Sequence, residues 1–131
     1  MKIEDIKFKA KRLDNGEWVK GDLVHSTSYV GISYPSDEFS DVPIVHRVDP
    51  STVCQFTGLK DCKGNEVWEG DIVRDNYDLL CVDNFYEVVY IEEEGAFAFK
   101  SLDKVDNYEP FVNLFEAYVI GNKFDRKENE K

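Results

Sequence analysis

Apolar and polar residues alternate with a period of two from the start of the chain. Ile6, Phe8 and Ala10 alternate with Lys7, Lys9 and Lys11, as in a strand with one buried and one solvated face. Asp14-Asn15-Gly16 predicts a hairpin turn, because Asn and Gly tolerate positive φ, and Glu17 to Lys20 returns as the partner strand. Gly21-Asp22 reads as an interruption before Leu23-Val24-His25. Tyr29 to Ile32 predicts another strand, and the polar residues 33–43, with Pro35 and Pro43, a loop. Ile44 to Val48, Thr52 to Phe56, Ile72-Val73 and Leu79 to Val82 predict further short strands, and 57–64 is rich in turn residues. The strongest strand signal is Phe85 to Glu92, dense in β-branched and aromatic residues. Gly95 ends the acidic turn that follows, and Ala96 to Lys100 alternates back. Residues 101–116, interrupted by Pro110, stay open, with a helical turn at Asn113 to Ala117 as one reading. Glu116 to Ile120 predicts a last strand, closed by Gly121-Asn122. No stretch of about twelve residues carries an apolar stripe at helical period. The pattern predicts a mainly β chain of about eight to ten short strands, a small barrel or two packed sheets, with at most one or two helical turns.

Two windows echo each other. Asn15-Gly16-Glu17-Trp18-Val19-Lys20-Gly21-Asp22-Leu23-Val24 matches Gly64-Asn65-Glu66-Val67-Trp68-Glu69-Gly70-Asp71-Ile72-Val73. Each has an Asn/Gly turn, a Trp, then Gly-Asp and two aliphatic residues. The expectation is one local structure made twice: a glycine at a backbone conformation poor for other residues, an Asp bonding nearby amides, and an aliphatic pair entering a core. Chance agreement between two turns is the alternative to duplication.

From Gln55 to Val73 the chain resembles the YopX family. The residues are Gln55-Phe56-Thr57-Gly58-Leu59-Lys60-Asp61, Lys63-Gly64-Asn65-Glu66 and Trp68-Glu69-Gly70-Asp71-Ile72-Val73. Ile6-Lys7-Phe8-Lys9-Ala10 is similar to that family's opening strand, and Val119-Ile120-Gly121-Asn122 to its closing motif. Cys62 stands where Lys is usual and Trp68 where Tyr is common. The resemblance implies a phage or prophage origin, a mainly β fold of SH3-like barrel type, and no established activity or catalytic residues. It implies one domain over residues 1–124, with a two-lobe duplication (1–50 and 51–124) as the variant the echo raises, and a charged tail at 125–131. Gly58, Gly70 and Gly121 then read as turn glycines, and Phe56, Leu59, Ile72 and Val73 as core.

Charge narrows the partners. Sixteen basic against 27 acidic residues give a net charge of −11, which argues against direct nucleic-acid binding, since that needs positive charge to displace counterions. The asymmetry is sharp: residues 1–58 carry a net −2 and residues 59–131 a net −9. Between Glu66 and Glu94 there are ten acidic residues and one basic, Arg74. Glu69, Asp75 and Asp78 are the candidate partner-binding residues of this window. Solubility accounts for such charge equally well.

No phosphate-binding loop, dinucleotide fingerprint or hydrolase motif occurs. Three cysteines, Cys54, Cys62 and Cys81, lack the close pairing of a structural zinc site, so no metal and no cofactor is expected. A Cys54/His46 nucleophile pair and ligand platforms at Trp18 and Trp68 are the sharper readings of those residues. Buried or rim positions are the plainer ones. No apolar run is long enough to span a bilayer, and no apolar segment follows the N-terminus, so the expected place is the cytoplasm of a host bacterial cell. The long hairpin at 85–100 suggests an open strand edge, and with it a homo-oligomer. The resulting expectation is a non-enzymatic phage accessory protein that binds a host or phage protein. An acidic DNA mimic against a host nucleic-acid-binding protein, and a small enzyme with an unrecognised site, are the rivals.

Overall fold

The computed structural model describes residues 2–37, 42–75, 84–102, 108–109 and 117–125. Eleven strands are present in these residues: β1 (Phe8–Lys11), β2 (Trp18–His25), β3 (Val30–Pro35), β4 (Pro43–Arg47), β5 (Cys54–Lys60), β6 (Glu66–Trp68), β7 (Asp71–Asp75), β8 (Asn84–Ile91), β9 (Ala96–Ser101), β10 (Tyr108–Glu109) and β11 (Ala117–Asn122). Helix among them is limited to single 3-10 turns at Ile3–Asp5, Pro50–Thr52 and Lys123–Asp125. No helix of the described residues is long and apolar enough to cross a membrane.

The ladders form two open antiparallel sheets, in the orders β4-β3-β2-β1-β5-β6 and β10-β9-β8-β7-β11. Neither closes on itself, which corrects the expected SH3-like barrel. In the first sheet the reason lies at the end of β1. A single bridge joins Arg12 to Val48. Beyond it, the Asp49 amide donates to the Lys11 carbonyl (2.9 Å) and the Lys11 amide to Thr52 Oγ1 (2.9 Å). The Pro50–Thr52 turn thus takes the groups a closing strand would need.

The chain divides into two compact units, Met1–Phe56 and Thr57–Lys131, with the boundary inside β5. Each has its own core. In the first, Ala10, Val19, Ile32 and Val48 pack together, with Phe8 and Val30 against them. In the second, Val67, Val73, Tyr86, Val88 and Phe99 do so, with Phe97 and Val119 alongside. The alternation at Phe8 and Ala10 therefore reads correctly. The lysines opposite lie against aromatic faces: Lys9 and Lys11 stand 4.7 and 5.4 Å from the Trp18 ring. The two tryptophans differ, because Trp18 is half-buried under these lysines while Trp68 is buried.

The echoed windows do not share one local structure. Trp18 to His25 is one unbroken strand, so Gly21-Asp22 is no turn. Ladder partners on both sides, Phe8 in β1 and Ile32 and Ser33 in β3, hold β2 extended. Gly21 has φ 159°, a conformation that side chains rarely adopt, and a Cβ there would also overlap the Ser33 carbonyl oxygen. In the second window Trp68 ends β6, and Glu69-Gly70 turns the chain into β7. Gly70 has φ 87°, a conformation that costs a side chain energy. Its amide donates to the Val88 carbonyl (2.8 Å), and its carbonyl accepts from Lys123 (2.9 Å).

Two buried carboxylates fix the second unit. Asp71 Oδ2 accepts from the Trp68 amide at 2.7 Å, and Oδ1 from Asn122 Nδ2 at 3.0 Å. Asp61 Oδ1 accepts from the Lys63 and Asn65 amides at 2.9 and 2.8 Å, and Oδ2 from the Val119 amide at 2.8 Å. The Asp61 loop thereby covers the outer edge of β11, where the Cys62 amide also donates to the Ala117 carbonyl. A covered edge does not recruit further strands. In the 85–100 hairpin β8 lies between β7 and β9, while β10 pairs with β9 at Phe99 and Lys100 among the described residues. Of the residues read as core, Phe56 and Val73 are buried, but Ile72 is half-buried and Leu59 is 41% exposed. Gly121 lies within β11, at a register shift, and is no turn glycine.

Burial alone pushes the Asp61 carboxyl upward, yet the donors at Val119, Asn65 and Lys63 outweigh it and hold the group below the usual carboxylate range. Its stabilising effect is complete above the unfolded value, near 3.9, and is lost as pH falls through the lower folded value. Asp61→Ala should cost about 1.5–3 kcal/mol at pH 7, the worth of hydrogen bonds to a charged group. Thermal melts of parent and variant should converge as pH drops below the carboxylate range. Gly70→Val should cost about 1–3 kcal/mol through backbone strain, read as a lowered denaturation midpoint at unchanged slope.

Candidate functional site

In the β8–β9 hairpin, Tyr86 pairs with Ser101, Val88 with Phe99, Tyr90 with Phe97 and Ile91 with Ala96. Alternation sends Tyr86, Val88 and Phe99 into the core, where the Tyr86 and Phe99 rings stack at 5.6 Å. The same alternation puts Val89 and Ile91 on the opposite face, across from Ala98 and Ala96. Two alanines facing two branched residues leave a trough. An open-sided cavity of about 790 Å³ lies there, lined by Val89, Tyr90, Ile91, Ala96, Phe97 and the buried Ala98, with Tyr108 and Lys100 at one end and Glu92 to Glu94 at the other.

The acidic end is built by backbone geometry. The Glu94 and Gly95 amides donate to the Ile91 carbonyl at 3.1 and 2.8 Å, and Gly95 takes φ 62°. The turn is thus satisfied internally, and Glu92, Glu93 and Glu94 are left exposed. At the far end Lys100 pairs with Tyr108 of β10. Among the described residues none of these three glutamates, nor Lys100, forms an ion pair. From Ala96 to Lys100 the strand rises roughly 13 Å, so the groove is apolar along its floor, negative at one end and positive at the other.

The residues singled out from the sequence lie elsewhere. Glu69 sits half-buried in the turn between β6 and β7. Asp75 ends β7, half-buried, opposite Asn84 and Ala117. Asp78, like Cys81 and the strand expected at Leu79 to Val82, lies outside the described residues. Elsewhere in the window Asp71 is buried, and Glu87 pairs with Lys123 at 3.4 Å. The exposed carboxylates among the window's described residues are Glu92 to Glu94. Cys54 and His46 are each engaged with another group: Cys54 Sγ donates to the Thr52 carbonyl (3.3 Å), and His46 Nε2 lies 2.9 Å from the Tyr34 hydroxyl. No three His, Cys, Asp or Glu among the described residues gather as metal ligands. Sequence reasoning missed the groove. Its one signal was Ala96 and Ala98 opposite Ile91 and Val89, and that depends on register.

Comparison with known proteins agrees with this architecture. The family profile described as YopX protein matches residues 7–128. The crystal structure of protein EF1440 from Enterococcus faecalis is similar in fold, with a TM-score of 0.57 and 21% identity over 96% of this chain and 98% of that one. No curated protein matches the chain significantly.

The two faces of the hairpin should respond oppositely to substitution. Phe99→Ala should cost about 3–5 kcal/mol, as large core truncations do. Ala96→Trp, at an exposed position, should change stability by less than about 0.5 kcal/mol. Urea midpoints measure both, and equal losses would contradict the assignment of faces.

Proposed function

We propose that this chain, which belongs to the YopX family, is a non-enzymatic accessory protein of a phage or prophage. It holds a protein partner in the groove on the β8–β9 hairpin. The observation that supports this reading is the combination of an apolar trough with exposed charges of opposite sign at its two ends. An apolar strip gives contact area, and flanking charges give register and selectivity. A DNA mimic would need a spaced row of exposed carboxylates. Within the described part of the acidic window, Asp71 is buried and Glu87 is paired, so this alternative is less well supported.

Affinity capture from bacterial lysate, followed by mass spectrometry, tests the proposal. The parent should enrich a defined protein, Ala96→Trp should lose it by filling the trough, and the distant exposed variant Leu13→Ser should keep it. Equal enrichment by parent and Ala96→Trp, or no enrichment by either, would reject the groove as the contact surface.

A further inference from the structure

The charges at the two ends of the trough restrict what can lie in it. Glu92, Glu93 and Glu94 are exposed at the turn, and Lys100 lies about four residues along β9, roughly 13 Å away. Between them the floor is the exposed Ala96 and the 6% exposed Ala98, with Ile91 and Val89, both half-buried, as one wall and Tyr108 beside Lys100. An extended peptide also repeats its side chains every second residue, at nearly 7 Å. Three successive side chains on one of its faces therefore span the trough.

Resting on the groove reading above, we infer that the occupant is an extended stretch of a partner protein, basic at one position, aliphatic two residues on and acidic two residues beyond that. The basic side chain meets Glu92 to Glu94, the aliphatic one fills the space over Ala98, and the carboxylate meets Lys100. A second copy of this chain is the poorer occupant. Residues 57–131 carry a net −9, and bringing two such surfaces together sets like charges against each other. A wholly basic segment fits the turn but places its far end against Lys100. A wholly apolar one leaves four charges partly desolvated with no counter-charge, which costs affinity.

The test uses the full-length protein and a dye-labelled, end-blocked peptide, Arg-Thr-Val-Thr-Asp, followed by fluorescence anisotropy at low and at moderate salt. Saturable binding is expected, weakening as salt rises. Combined Glu92→Gln, Glu93→Gln and Glu94→Gln should weaken it tenfold or more, and Ala96→Trp should abolish it. Lys100→Glu should reverse the preference, binding Arg-Thr-Val-Thr-Arg more tightly than the original peptide. Thermal melts confirm that each variant is folded. No saturable binding to the parent, or binding unaffected by the glutamine and Lys100 variants, overturns the inference about the occupant. In that case the groove reading still stands if Ala96→Trp loses the partner captured from lysate. Peptide binding that survives Ala96→Trp places the peptide elsewhere and overturns the inference directly.

Discussion

The second unit depends on two carboxylates withdrawn from water. Asp61 and Asp71 are 6% and 2% exposed. Buried charge is costly unless hydrogen bonds replace its hydration. Both meet that condition with amide donors from residues distant in the chain. Asp61 joins its own loop to β11 through Val119, 58 positions away, and Asp71 joins the β6–β7 turn to Asn122, 51 positions away. These bonds place β11 beside β7 and close its free edge. Lys63 adds to the same join, lying 3.8 Å from the Tyr118 ring, while Arg74 Nη1 donates to the Tyr118 hydroxyl at 3.0 Å.

With β7 held by β11, β8 pairs with β7 on one side and β9 on the other. The hairpin's core face is occupied by Val67, Val73 and their neighbours. The other face is then available for the trough, and the turn at its end needs no side chain to satisfy its backbone. That leaves Glu92 to Glu94 at liberty to face solvent or a partner. Structural carboxylates and exposed carboxylates are thus different residues within one acidic stretch. Net charge alone does not separate them, because it counts buried Asp71 and exposed Glu93 alike.

The long motif that carries the family resemblance is largely a folding device. Thr57 Oγ1 donates to the Val67 carbonyl at 2.7 Å, Gly58, Gly64 and Gly70 take positive φ, and Asp61 and Asp71 hold their turns. None of these residues lines the groove. A motif this specific can therefore identify the fold while being silent about the surface that meets a partner.

Strand type was legible in the chain itself. Phe8/Ala10 against Lys7/Lys9/Lys11, the Asn15-Gly16 turn and the 85–100 hairpin are local patterns, set by side-chain alternation and by which residues tolerate positive φ. What local pattern could not decide was the outcome of contacts far apart in sequence. The same Gly-Asp step runs straight at Gly21, where β1 and β3 supply ladders on both sides, and turns at Gly70, where Asp71 captures the Trp68 amide. The first sheet stays open because the Pro50–Thr52 turn takes the end of β1. The groove exists because register sets Ala96 and Ala98 against Ile91 and Val89. Alternation tells a residue which face it shares with its near neighbours along the chain; only pairing across strands determines what lies opposite.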